Sequence, residues 1–312
     1  MSTKSPPASR RAAKRVRWFR HGAKALSRVY ADAGGRYACP LCLRAHSQPE
    51  AFTFEHVPPE CLGGRPLVLT CPECHRHAGL SLDHHARAGE DAREFVAGKR
   101  PLRATVAVDG AAVRVDFWRK PDCNSLEVVP GCSNPQHEAA LQDRFRRAAA
   151  TGETDWTLNL SWTTRHNANK EYLSWLRAAY LAAFAALGYR YICSPPLEIV
   201  RRQIKAPNET LFPQTSATDT DTARDRGFRR MMLAREPTSC IIVQFGARIL
   251  FLPSLSSGLD FYESLKASRN SVSRADCRGR EIPWPAGPVH ALDYAPSLIG
   301  RFMSPDQPEP EP

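Results

Sequence analysis

The sequence predicts an α+β protein in which a small N-terminal module, stapled by cysteines, precedes a larger α+β domain of unassigned fold. Three observations lead to this fold class. Two Cys-x-x-Cys pairs close a short segment near the N terminus, alternating apolar residues flank an Asp-Gly pair at 109–110, and apolar residues recur at helical spacing over 170–187. We expect a basic arm over residues 1–30, the module over 31–100, the α+β domain over 101–303 and a disordered tail over 304–312.

The cysteine pairs are Cys39 with Cys42 and Cys71 with Cys74. Each pair places two thiolates on one tight turn, and two such pairs form the ligand set of a tetrahedral structural zinc site. Four unrelated buried thiols would not explain why both pairs repeat the form Cys-Pro-x-Cys. The sequence therefore predicts one structural Zn²⁺. The remaining cysteines are scattered without a disulfide framework, which favours a reducing, cytoplasmic location.

A candidate catalytic set lies between and directly after these pairs. Residues 52–56 alternate aromatic and polar side chains before a Val-Pro-Pro step, which predicts a short strand ending with Glu55 and His56. His75 follows the last cysteine and opens a predicted helix over 75–96. A carboxylate with two imidazoles suits a divalent cation and a general base. Asp83 is expected to be at most an outer partner of this site.

Over about residues 36–90 these motifs resemble the zinc-bearing form of the HNH (His-Asn-His, ββα-metal) endonucleases. The matching residues are Cys39 and Cys42, then Glu55-His56-Val57-Pro58, Gly63-Gly64 and Cys71-Pro72-Glu73-Cys74-His75. The resemblance implies a ββα-metal module in which His56 deprotonates the attacking water, while Glu55 and His75 hold a catalytic Mg²⁺ or Mn²⁺ against the scissile phosphate. The sequence departs from the family at the middle Asn, which orients the catalytic His, because Pro66 stands in its place.

The basic charge of the chain is concentrated at its N terminus. The formal net charge is +11, and residues 1–31 hold three Lys, six Arg and no acid, so that they carry +9 and the rest +2. Residues 10–30 have apolar side chains at helical spacing, which predicts an amphipathic basic helix. Such a patch implies a polyanionic partner, and beside the nuclease-like motifs DNA is favoured over an acidic membrane surface. A helix that packs on the protein with a solvated charged face is the alternative. The candidate DNA contacts are Arg10, Arg11, Lys14, Arg15 and Arg17.

The rest of the chain predicts further helices and strands without a chemical signature. Residues 1–9 and the tail are expected to be disordered, and residues 207–227 to form a loop. Strands are predicted at 104–118 (a hairpin), 126–129, 156–163, 189–193, 240–245 and 248–252; helices are predicted at 137–150, 170–187 (ended by Gly188), 197–206 and 261–267. The aromatic stripe of 170–187 follows the helical period, which predicts a core element and not a base-stacking surface.

Together these features favour a metal-dependent HNH-type endonuclease that hydrolyses DNA phosphodiester bonds, in phage defence or a mobile element. Glycine-rich phosphate loops, nucleophile elbows and dinucleotide fingerprints are absent from the sequence. One alternative is a zinc-stabilised nucleic-acid-binding module whose catalytic site has decayed, and another is an interaction protein that uses zinc only as a staple. No membrane partner is expected, because no run approaches the roughly 20 apolar residues of a membrane span. The sequence assigns no protein partner or signal to residues 101–303.

Overall fold

A computed structural model describes residues 7–108, 111–120, 126–130, 135–152, 159–161, 166–218, 227–236, 239–271 and 278–287. The chain forms two compact units: the first unit is Met1–Ala86 with Ala168–Pro312, and the second unit is Arg87–Asn167. This grouping differs from the predicted division at residue 100, because the N-terminal module shares its core with the C-terminal region. Residues 1–6 and the tail lie outside the described residues, whereas residues 7–9, expected to be disordered, already belong to a helix.

The N-terminal part of the first unit consists of one long helix followed by short strands and a short helix. In chain order they are α1 (Pro7–Ser27), β1 (Tyr37–Ala38), β2 (Ala45–His46), β3 (Thr53–Val57), β4 (Arg65–Thr70) and α2 (Pro72–Ala78), and α3 (His84–Val96) begins in this unit and belongs to the second unit from Arg87 onwards. A π-helical turn over Gly79–Asp83 separates α2 from α3, so the helix predicted over 75–96 is confirmed but is interrupted and begins earlier. β1 pairs with β2 and β3 pairs with β4, both antiparallel.

The second unit has its own small core under an antiparallel sheet. Its elements are β5 (Leu102–Val108), β6 (Ala111–Arg119), β7 (Leu126–Pro130), α4 (Pro135–Thr151) and β8 (Asn159–Ser161), and the strand order is β7-β6-β5-β8. The predicted hairpin is confirmed, although its Asp-Gly turn lies outside the described residues. Val106 and Val113 are fully buried because alternate residues of β5 and β6 face one side of the sheet.

The first unit resumes with α5 (Ala168–Ile192), which is buried on all sides. Every hydrophobic residue predicted for its stripe is in the core, which confirms that prediction: Tyr172, Trp175, Leu176, Ala179, Ala183, Phe184 and Leu187. The strand predicted over 189–193 is wrong. Gly188 leaves the helical conformation at φ 74° and ψ −165°, and the chain then turns helical again up to Ile192. Tyr189 and Tyr191 are buried there, and their hydroxyls donate hydrogen bonds to the carbonyls of Ala38 and Pro253.

The C-terminal part of the first unit contains two helices and a five-stranded antiparallel sheet that packs on α5. Its elements are α6 (Pro195–Lys205), β9 (Ser216–Thr218), β10 (Arg229–Glu236), β11 (Cys240–Phe245), β12 (Arg248–Pro253), α7 (Phe261–Ser271) and β13 (Arg278–Ile282), and the strand order is β13-β10-β11-β12-β9. The sequence predicted β11, β12 and both helices but not β10 or β13. It also placed β9 within a loop. The mixture of helices and antiparallel sheets confirms the predicted α+β class.

Candidate functional site

The four predicted cysteines come together at the junction of β1, β4 and α2. Their sulfur atoms all lie within 4.8 Å of one another, and Sγ of Cys42 is 3.7 Å from Sγ of Cys71. A tetrahedral zinc with bonds of about 2.3 Å to sulfur places its ligands about 3.8 Å apart. The four side chains therefore form a group that fits a metal ion. Among the described residues it is the one cluster that gathers three or more candidate ligand side chains.

Backbone geometry turns each cysteine pair towards the shared centre. The amide of Leu43 donates to the carbonyl of Cys39 at 2.8 Å, and Leu43 adopts a positive φ of 58°, which closes the first turn. Cys71 precedes α2, and Cys74 lies in the first turn of that helix. A hydrogen bond from Cys39 lowers the pKa of Cys71 to about 6. A hydrogen bond with Cys39 also lowers the pKa of Cys42, whereas the hydrogen bond with Cys42 raises the pKa of Cys39, and the pKa of Cys74 is raised as well. Metal ligation would require all four thiols to lose their protons.

The first cysteine turn is anchored to α5 by two tyrosines. The hydroxyl of Tyr180 donates to the carbonyl of Pro40 at 2.9 Å, and that of Tyr189 donates to the carbonyl of Ala38 at 2.5 Å. Both hydroxyls lie in the core, where an unpaired polar group would cost free energy. The cysteine cluster is therefore held by α5 as well as by its own chain segment.

Glu55 and His75, two of the predicted catalytic residues, are in direct contact. Nδ1 of His75 lies 2.9 Å from Oε2 of Glu55, and the hydroxyl of Thr70 donates to the same oxygen at 2.9 Å. Burial alone would raise the pKa of Glu55, but the charge of Arg177 and the hydrogen bond from His75 outweigh it and hold that pKa at about 2. Because an ionised carboxylate only accepts hydrogen bonds, Nδ1 carries a proton, and Nε2 of His75 could bind an ion only while the imidazole is neutral.

Arg177 of α5 was missed by the sequence analysis. It is 1% exposed; its Nη1 donates to Oε1 of Glu55 at 2.8 Å, and its Nη2 donates to both carboxylate oxygens of Asp83 at 2.8 and 3.0 Å. Ser174 also donates to Asp83, at 2.8 Å. Arg177 follows Glu55 by 122 positions, so no local motif connects them. A guanidinium within the apolar run of α5 was the one available signal.

Glu55 was predicted to bind the catalytic ion, but its carboxylate is surrounded by protein groups. Its carboxylate is 2% exposed, and both of its oxygens accept hydrogen bonds from protein groups. His75, by contrast, has 46% of its side chain exposed, and the bond with Glu55 raises its pKa. In this arrangement Glu55 orients His75, and the imidazole is the group that faces outward.

His56 lies on the same hairpin but has different neighbours. Its side chain is 20% exposed, and its Nε2 is 4.0 Å from Oε2 of Glu60. The pairing of β3 with β4 shifts between Glu55 and His56, so that His56 faces Pro66 across the hairpin. The ring of Pro66 has no hydrogen-bonding group to offer His56.

The predicted DNA contacts lie on α1, which is a packed helix. Trp18 and Phe19 are buried, and Nζ of Lys14 lies 4.6 Å from the ring centroid of Trp18. The guanidinium of Arg11 lies 5.7 Å from the ring centroid of Phe54. Arg10 and Arg17 are exposed, and Arg15 is half-buried. The helix therefore has the packed face and the solvated basic face of the alternative interpretation, and contact with DNA stays a prediction.

Comparisons with models of known families, with characterised proteins and with solved structures found no match to this chain. None of the helices in the described part of the chain combines the length and the apolar character that crossing a bilayer requires.

Proposed function

We propose that this protein is a metal-dependent endonuclease of the HNH type that hydrolyses DNA phosphodiester bonds. The observation that carries the proposal is the hydrogen-bonded pair of Glu55 and His75, 2.9 Å apart, which lies directly beside the cysteine cluster. The pair joins the hairpin of β3 and β4 to α2, in the order expected of a ββα-metal module. We assign a structural Zn²⁺ to the four cysteines and a catalytic Mg²⁺ or Mn²⁺ to the outer face of His75.

The proposal gives each side chain one role. A bound divalent ion supplies charge neutralisation for the leaving 3′ oxygen. Nε2 of His75 would hold that ion, and Glu55 fixes the imidazole through Nδ1, as carboxylates do behind histidine ligands. A direct bond from Glu55 to the ion, which the sequence resemblance implies, would require its carboxylate to release Thr70 or Arg177. His56 is the general base that takes a proton from water.

The test is plasmid cleavage by the full chain with Mg²⁺ and, separately, Mn²⁺. We expect His56→Ala to lower the cleavage rate by about 10² to 10⁴, the usual contribution of a general base. His77→Ala is the matched control, since His77 is a half-buried histidine on α2 outside the proposed set. Zinc content and thermal unfolding should be unchanged in both variants. Equal cleavage by wild type and a folded His56→Ala protein would refute the assignment.

A zinc-stabilised nucleic-acid-binding module is the second candidate, and two observations favour it. The carboxylate of Glu55 is enclosed by protein partners, and Pro66 gives His56 no orienting hydrogen bond. Such a protein would bind DNA with salt-dependent affinity and leave plasmid intact in both metals. The cleavage assay and a binding titration together separate the two candidates.

A further inference from the structure

The turn between β3 and β4 brings an arginine of the C-terminal sheet to the hairpin that carries His56. Nη2 of Arg229, at the start of β10, donates to the carbonyl of Gly63 at 3.0 Å. Gly63 adopts a φ of 78°, and a Cβ on Gly64 would lie 1.5 Å from the carbonyl oxygen of Pro58. Both positions require glycine, so the turn has one defined conformation and presents the carbonyl of Gly63 to Arg229.

Arg65 directly follows the same turn, two residues after Gly63. It pairs with Val57 across the hairpin, in the position next to the pairing of His56 with Pro66. Arg65 is exposed, whereas Arg229 is half-buried and its guanidinium lies 6.0 Å from the ring centroid of Trp284. Two guanidinium groups from distant parts of the sequence thus lie at the His56 end of the hairpin.

In the described part of the chain, Arg65 and Arg229 differ from Arg177 and Arg248 in their carboxylate partners. Arg177 is paired with Glu55 and Arg248 with Glu171, but within the described part of the chain no carboxylate lies within 4.0 Å of Arg65 or Arg229. Nε of Arg229 is buried without a hydrogen-bond partner there. Burial and the charge of Arg65 both lower the pKa of Arg229. Partial desolvation beside a like charge is unfavourable unless an anion offsets it.

We propose that Arg65 and Arg229 form a clamp for a backbone phosphate of nucleic acid, at the turn of the hairpin that carries His56. The clamp rests on the proposed function, since it would hold the strand whose phosphodiester is cut. Guanidinium groups suit this ligand because each presents parallel N–H donors to two phosphate oxygens. The clamp also gives the C-terminal sheet, which has no signature in the sequence, a part in binding the substrate.

The test is binding of the full chain to a fluorescent DNA duplex, without divalent metal, over a series of salt concentrations. We expect Arg65→Gln and Arg229→Gln each to weaken binding roughly tenfold at low salt and to flatten the log–log salt slope by about 0.9. Arg230→Gln is the matched control. Arg230 is the next residue on β10, where side chains alternate between faces, and it lies 3.9 Å from Glu281. It should keep the wild-type slope.

The outcomes separate the clamp from the proposed chemistry. If wild type binds DNA without cutting it and only the two clamp variants flatten the slope, the clamp stands and the nuclease assignment falls. If wild type cuts DNA but both clamp variants keep its slope and affinity, the clamp is refuted and the nuclease assignment stands. A slope that falls equally in Arg230→Gln, or wild type that shows no salt-dependent binding, also refutes the clamp. Thermal unfolding of each variant confirms that a flatter slope does not come from unfolded protein.

Discussion

At the scale of single residues, the charge of Arg177 determines how the candidate site is held. Its guanidinium is enclosed in the core between Glu55 and Asp83, and Glu55 in turn contacts His75. Desolvating these ions is costly, and the cost is offset only while each charge keeps its partners. The same arrangement fixes the imidazole of His75 through a carboxylate that cannot rotate freely. Stability and site geometry therefore depend on the same residue.

We expect Arg177→Met to lower the free energy of unfolding by about 3 to 5 kcal/mol, because it leaves the carboxylates of Glu55 and Asp83 without their counter-charge. Urea unfolding measures this loss. The double variant Glu55→Gln with Arg177→Met should lose less than the sum of the two single variants, since one unpaired charge is then gone. A loss below about 1 kcal/mol in Arg177→Met would contradict the network, given the usual cost of an unpaired buried charge.

The residues that sequence reasoning found are those whose partners are close in the chain. Cys39 and Cys42 share one turn, and their spacing alone indicated a metal site, which the structure supports with four sulfur atoms in one cluster. His75 was located by its place after Cys74. Arg177 could not be found in this way, because its contact with Glu55 depends on how α5 packs. A long-range ion pair leaves no local pattern in the sequence.

At the scale of elements, α1 shows how one helix can serve packing and charge. Gly22 lies in its buried face, and a Cβ there would lie 2.1 Å from the Tyr37 ring. Lys14 and Arg11 lie over the rings of Trp18 and Phe54, where cation–π contacts stabilise the packing. Arg10, Arg11 and Arg17 are all exposed, and Arg11 differs from the other two by its contact with the Phe54 ring. The basic residues therefore divide into two pairs with different expected roles.

Two double variants with the same change in net charge test this division. We expect Arg10→Gln with Arg17→Gln to flatten the salt slope of DNA binding by about 0.9 for each phosphate that the variant no longer binds, without changing thermal stability. Arg11→Gln with Lys14→Gln should instead cost about 1 to 2 kcal/mol of stability, because the cation–π contacts of both side chains with Trp18 and Phe54 disappear. Equal effects of both variants on binding and on unfolding would contradict the division.

Periodic elements could be predicted, whereas strands defined by their neighbours could not. The hairpin of β5 and β6 alternates cleanly, and α5 repeats its apolar residues at helical spacing, so both were found. β10 begins with Arg229 and Arg230 and has no such alternation, yet it pairs with β11 on one side and β13 on the other. The residues after Gly188 resemble a strand in composition, but the hydrogen bonds of Tyr189 and Tyr191 hold them in a second helical segment.

At the scale of the whole molecule, α5 joins the cysteine cluster to the C-terminal sheet. On one side Tyr180 and Tyr189 bond to the first cysteine turn, and Arg177 bonds to Glu55. On the other side Tyr191 bonds to the carbonyl of Pro253 at the end of β12. The first unit thus has one continuous core, while the second unit has a core of its own. Loss of the metal should therefore affect more than the segment that binds it.

We expect purified protein to contain one zinc by elemental analysis, and removal of that zinc by a chelator to destabilise the whole first unit. Structural zinc contributes directly to folding free energy, and the unpaired thiols would loosen the cysteine turns that α5 contacts. Hydrogen exchange monitored by mass spectrometry should then show reduced protection in β3, β4 and α5, and also in β11 and β12. The strands β5 and β6 should keep theirs, because their buried residues belong to the separate core of the second unit. Reduced protection confined to residues 37–78 would contradict this expectation and would mean that the cysteine module unfolds independently of α5.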